Sequence, residues 1–209
     1  MTARETVLGR VRDALVLAPR PAVTVERAYR RDRTLPDDER LELFTDRLLD
    51  YKAQVRICTA GEIAAALADV LDALGARRIG VPAGLDRSWL AAWGGAVEED
   101  HSDAPASALE ALDAVVTASA ASCAETGTIV LDGSADQGRR ALTLVPDVHV
   151  CVVDLSSVVT GVPELLARLV PERPTTLISG PSATSDIELE RVEGVHGPRT
   201  LVVIVRTDA

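Results

Sequence analysis

The sequence predicts an α/β fold: a three-layer α/β/α arrangement around a mostly parallel sheet, preceded by N-terminal helices. Three observations predict it. Near-continuous apolar runs rich in Val, Ile and Leu recur along the chain, as in strands covered on both faces. Amphipathic helical patterns alternate with them. Aromatic residues make up only 2% of the 209 residues, so the core must be built from Ala, Val, Leu and Ile.

The elements follow in order. Thr2 and Glu5 have capping-box spacing, and Val7, Leu8, Val11, Ala14 and Leu15 follow at helical spacing until Pro19 and Pro21. Residues 20–34 are Arg-rich and aperiodic, which reads as a surface linker or as a basic arm for an acidic partner. Pro36 and the acids Asp37, Asp38 and Glu39 open a second helix that runs to about Tyr51. A strand at 54–58 follows. Thr59 and Glu62 then cap an Ala/Leu helix that ends at Gly75. Further strands are expected at 78–81, 96–100, 113–119, 128–132, 149–154, 175–179 and 200–205. Helices are expected near Ser88–Trp93, Ala106–Leu112 and 161–170. The division expected is a helical segment and linker over 1–52 and an α/β domain over 53–209.

Bulk composition narrows the function classes. A hydrophobic content of 47% with 26% charged residues is an ordinary globular balance. The formal net charge of −10 argues against nucleic-acid binding, although a local anion site survives such a charge. Cys58, Cys123 and Cys151 are sparse and unpaired in spacing, which argues against a disulfide framework and against an iron–sulfur cluster or zinc site in this chain. Cys58 and Cys151 read as small buried hydrophobes. The N-terminus reads as neither a signal peptide nor a membrane span, so a cytoplasmic location is expected.

Three loops carry the chemical signal. Glu125-Thr126-Gly127-Thr128 sets a carboxylate beside a glycine, either as a base or nucleophile or as a solvent-facing acid in a tight turn. Residues 179–188 hold Ser179, Gly180, Pro181, Ser182, Thr184, Ser185, Asp186 and Glu188. Six of those ten residues bear a hydroxyl or carboxyl, which suits a pocket for phosphate or carboxylate. Ser185 and Glu188 also have capping-box spacing, so a short helix is expected to open there. In the third loop, Gly194 and Gly197 flank His196, a candidate acid or base, or a residue that ties down a turn. Arg139 and Arg140 read as a carboxylate clamp or as solvated cations, and His149 reads as packing at the head of a strand. If all three loops adjoin one sheet, Glu125, Ser182, Asp186 and His196 meet in a cleft at its carboxyl edge.

Read in order, ETGTIVL, RRALTLVPDVHVCVV and ISGPSATSDIELERVEGVHGP resemble the lactate-utilization protein C family, the LUD domain, over roughly residues 115–205. The resemblance implies a fold similar to ribose-5-phosphate isomerase and CoA-transferase-like proteins. It implies a non-redox subunit or accessory protein of a system that oxidises L-lactate to pyruvate, one that binds a small carboxylate or organises partner subunits carrying the iron–sulfur clusters, with no cofactor of its own. The family's motif positions fall on residues 125–128, 179–182, Thr184, Asp186, Glu188, His196, Gly197 and Pro198. The fold analogy also allows a stand-alone enzyme acting on a small anionic metabolite, with Glu125 as base or nucleophile and His196 as its proton-transfer partner.

Overall fold

The structure, a computed structural model, describes residues 2–17, 23–29, 33–185, 191–193 and 197–208. In chain order the elements are α1 (Ala3–Leu17), α2 (Asp37–Asp50), β1 (Gln54–Cys58), α3 (Ile63–Ala73), β2 (Arg78–Pro82), β3 (Ala96–Asp100), β4 (Ala114–Thr117) and β5 (Ala121–Cys123). They continue with β6 (Thr128–Leu131), β7 (Val148–Asp154), β8 (Val158–Val159), α4 (Val162–Arg168), β9 (Thr176–Ile178), β10 (Ala183–Ser185), β11 (Arg191–Glu193) and β12 (Thr200–Arg206). The helices expected near Ser88 and Ala106 are 3-10 turns, at Arg87–Leu90 and Ala106–Ala111.

A six-stranded sheet in the order β1-β12-β7-β4-β2-β3 forms the centre, and every pair in it is parallel. The sequences VHVCVVD and TLVVIVR explain its middle: β-branched side chains suit a pleated surface covered on both sides, and β7 and β12 are buried from their second residue to their sixth. One face is covered by α3, whose Leu67 and Leu71 pack on Ile79, Val81, Val116, Val150, Val152, Val202 and Ile204. The capping box expected at Thr59 is present, with the Thr59 N–H donating to Glu62 Oε2 at 2.9 Å. At the other end Gly75 takes φ 69°, and Ala76 N–H returns to the Leu71 carbonyl, so the orphan carbonyls of the last turn are satisfied.

The other face holds what the alternating pattern did not show. Phe44 and Leu48 of α2 share it with Ile129 and Leu131 of a separate four-stranded sheet, β8-β5-β6-β9. There β6 runs antiparallel to both β5 and β9. The mostly parallel central sheet flanked by helices is the α/β architecture expected, but the runs at 128–131 and 176–178 lie outside that sheet. The helix expected to open at Ser185 falls on residues 186–190, which lie outside the described residues. Ala183–Ser185 pair as an antiparallel ladder with Arg191–Glu193. By contrast α1 buries none of its residues. The linker residues 23–29 have no regular structure, and the remainder of the stretch 18–32 lies outside the described residues.

Two polar contacts are locked into this framework. Asp100, at the end of β3, is only 4% exposed and takes a bidentate pair from Arg139, at 2.8 Å on each oxygen. His149, on β7, is 1% exposed, with Nε2 2.8 Å from Thr117 Oγ1. Burial, and secondarily the charge of Arg140, push its pKa down to about 4, so the imidazole is neutral at pH 7. Cys58, Cys123 and Cys151 are free and buried.

Two stability predictions result. Below pH 6.5 the unfolded chain takes up a proton that folded His149 refuses. Its contribution is therefore intact above pH 6.5 and lost as pH falls towards 4, a loss on the order of 3 kcal/mol. Asp113, held low by the N–H groups of Arg77 and Arg78, loses its contribution only at lower pH, and Asp136, pushed up by burial, acts in the opposite sense. Urea unfolding between pH 7 and 4.5 should show the loss in the native chain and a flatter profile in His149→Gln. Separately, Arg139→Ala should leave the Asp100 carboxylate without its bidentate partner and lower the melting temperature, whereas Arg140→Ala should leave the melting temperature nearly unchanged.

Candidate functional site

The antiparallel pairing of β6 with β9 sets Ile129 opposite Ile178, which brings the residue before Ile129 beside the residue after Ile178. Thr128 Oγ1 lies 2.8 Å from Ser179 Oγ, and Thr126 Oγ1 lies 2.7 Å from Thr128 Oγ1, giving a chain of three hydroxyls. Both loops press against the end of α2. Gly127 has φ 59°, and a Cβ there would stand 2.9 Å from Arg47 Cβ; at Gly180, with φ 96°, it would stand 2.7 Å from Tyr51 Cβ. Glycine is required at both positions, for its backbone angle and for the approach. The third loop joins them through the Ser182 N–H, which donates to the Pro198 carbonyl at 2.8 Å, and Gly197 stands beside Ser182 at φ 133°.

A cleft of about 250 Å³ opens beside these loops. Ser179, Gly180, Pro181, Ser182 and Pro198 form one wall, and Arg140, Thr143 and His149 the other. Arg140 Nη1 donates to Thr143 Oγ1 at 3.1 Å, and among the described residues no carboxylate pairs with this guanidinium. A cation, two serine hydroxyls and a neutral imidazole therefore border one small space. That set can take up a small anion through charge-assisted hydrogen bonds.

The cleft lies at the amino ends of β7 and β12, beside His149 and Leu201, and not at the carboxyl edge that the sequence led us to expect. That expectation placed all three loops on one sheet, whereas β9 belongs to the second. The carboxyl-edge crevice between β2 and β4, where the strand order reverses, is filled by the protein's own 132–138 loop. Gly84 N–H donates to the Ala135 carbonyl at 2.9 Å and Ala118 N–H to the Asp136 carbonyl at 3.0 Å. A further cleft of about 580 Å³ borders the ends of β2 and β3, lined by Asp100 and Arg139, which engage each other, and also by Arg140.

Glu125 faces elsewhere. Its Oε1 is 2.5 Å from Arg33 Nη1, and it lines a different cleft, of about 300 Å³, with Tyr29, Gly161 and Glu164. The structure thus joins Thr126, Thr128 and Ser179 by hydrogen bonds and places Ser179 and Ser182 in the Arg140 cleft, but directs the Glu125 carboxylate away from it. Thr184 and Ser185 lie on β10. Asp186, Glu188 and His196 lie outside the described residues. Sequence reading assigned His149 and Thr143 no part in a site; the available signal was a histidine within a strand whose other buried residues are Val and Cys. Among the described residues no group of three or more His, Cys, Asp or Glu is placed to hold a metal ion, and no helix is long and apolar enough to cross a membrane.

Comparison with known proteins agrees with the ordered motifs. The chain matches the LUD domain over residues 42–205. It is 49% identical over 171 residues to a protein of Deinococcus radiodurans named Lactate utilization protein C, an alignment covering 80% of this chain and 79% of that protein. A Bacillus subtilis protein of the same name is 35% identical over 101 residues, covering 44% of this chain and 42% of that protein. A crystal structure of a DUF162 family protein from Deinococcus radiodurans superposes with a TM-score of 0.70 at 42% identity, covering 82% of this chain and 98% of that one. The extent of the domain match and of the first of these alignments shows that the chain belongs to the LUD domain family.

Proposed function

We propose that this chain is a non-redox component of a lactate-oxidising system and that it holds a small carboxylate in the Arg140 cleft. One observation carries the reading: Arg140 borders a polar cleft with Ser179 and Ser182 while, among the described residues, no acid neutralises it. Relatives named Lactate utilization protein C direct the choice of carboxylate to lactate and pyruvate. Oxidising lactate to pyruvate releases two electrons and two protons. In this reading the electrons pass to iron–sulfur partner proteins. Cys58, Cys123 and Cys151 stand singly on β1, β5 and β7, each buried. Glu125, paired with Arg33 in the neighbouring cleft, lends no support to a nucleophile acting at this one.

Calorimetric titration with lactate and pyruvate tests the reading. Saturable binding is expected. Arg140→Ala and Ser182→Ala should each weaken it by about 1.5–3 kcal/mol, on the order of ten- to a hundredfold in Kd. Glu125→Gln should bind as the native chain does. Binding that survives Arg140→Ala unchanged, or that fails in Glu125→Gln alone, would place the ligand elsewhere.

A further inference from the structure

α1 is a helix of 15 residues that buries none of them, and Val7, Val11 and Leu15 are each more than half exposed. At 100° per residue, Val7, Leu8, Val11 and Leu15 fall on one stripe with Arg4 at its head, while Arg10 and Arg12 lie on opposite flanks. A lone helix of this length is marginal in water, and its stability comes from packing an apolar face. The stripe therefore calls for a surface to cover it.

The outer face of α2 presents such a surface. A groove of about 940 Å³ runs between α2 and β1 and includes Leu35, Leu41, Leu49 and Ile57. Leu49 is 54% exposed and Ile57 48%. The rim is acidic: Asp38, Glu39 and Glu42 border it, and among the described residues no cation is paired with any of them. Arg33, which also borders it, is engaged by Glu125. α1 carries Arg4, Arg10 and Arg12 against Glu5 and Asp13, so a helix of net positive charge with an apolar stripe meets an apolar groove rimmed by carboxylates. No residue of α1 lines the groove of its own chain.

We propose that α1 of one copy lies in the α2 groove of a second copy, so that two chains pair by exchanging N-terminal helices. The exchange closes on a two-fold axis, since each copy gives one helix and receives one. It also doubles the contact, because both helix–groove surfaces form at once.

Sedimentation velocity on the full chain across a wide concentration range tests the proposal. The native chain should sediment as a dimer. Val11→Asp with Leu15→Asp should sediment as a monomer, as should Leu49→Asp. These side chains are exposed, so far-UV circular dichroism should show each variant folded. Arg10→Glu with Arg12→Glu should lose the dimer, and mixing that protein with Glu39→Arg/Glu42→Arg protein should restore a mixed pair. A native chain that remains monomeric at every concentration overturns the proposal, whether α1 then docks on its own chain or on a different protein. A dimer that persists in Val11→Asp/Leu15→Asp overturns it equally.

Discussion

The burial of β7 on both faces is the constraint on which the rest of the structure depends. Its side chains alternate between two layers: Val150 and Val152 meet the α3 side, while Cys151 and Val153 meet α2 and the second sheet. A strand so placed admits a polar residue only when its hydrogen bond is made. Thr117, on the adjacent strand, supplies that bond to His149. Burial also keeps the imidazole uncharged, which lets it stand near Arg140 without a second positive charge. The polar wall of the cleft is thus a consequence of packing at the amino end of one strand.

α2 ties the two regions of interest together. Its inner face contributes Phe44 and Leu48 to the core. Its end meets the close-packed glycines at 127 and 180, and so fixes the loops that carry Thr126, Thr128 and Ser179. Its outer face forms the acid-rimmed groove. A helix seated in that groove would bear on the same rod that positions the site loops. Assembly and ligand binding would then act on a shared element, without any contact between the two sites.

The strands of the central sheet were legible because Val and Ile runs are hard to place anywhere but a buried strand, and the ends of α3 were legible because capping chemistry is local. Strand membership was not. The run at 128–131 looks like those at 148–154 and 200–206, yet it pairs with 176–178, a partner more than forty residues away that no local pattern specifies. From that error came the mistaken carboxyl edge. Arg139 and Arg140 were read as a pair because they are neighbours in sequence. Only the fold shows that Asp100 takes one and the cleft takes the other. The hydroxyl-rich wall was legible in full as composition, but its opposite wall, with Thr143 and His149, became part of a site only once β7 and β9 were brought together.

The anion site proposed for this chain lies at the amino ends of β7 and β12, between the two sheets. A crystal structure of the chain grown with pyruvate tests this most directly. A carboxylate within hydrogen-bonding distance of the Arg140 guanidinium and the Ser182 hydroxyl is expected. Pyruvate bound instead beside Glu125 and Arg33, or at the carboxyl ends of β2 and β3 beside Asp100, would contradict it.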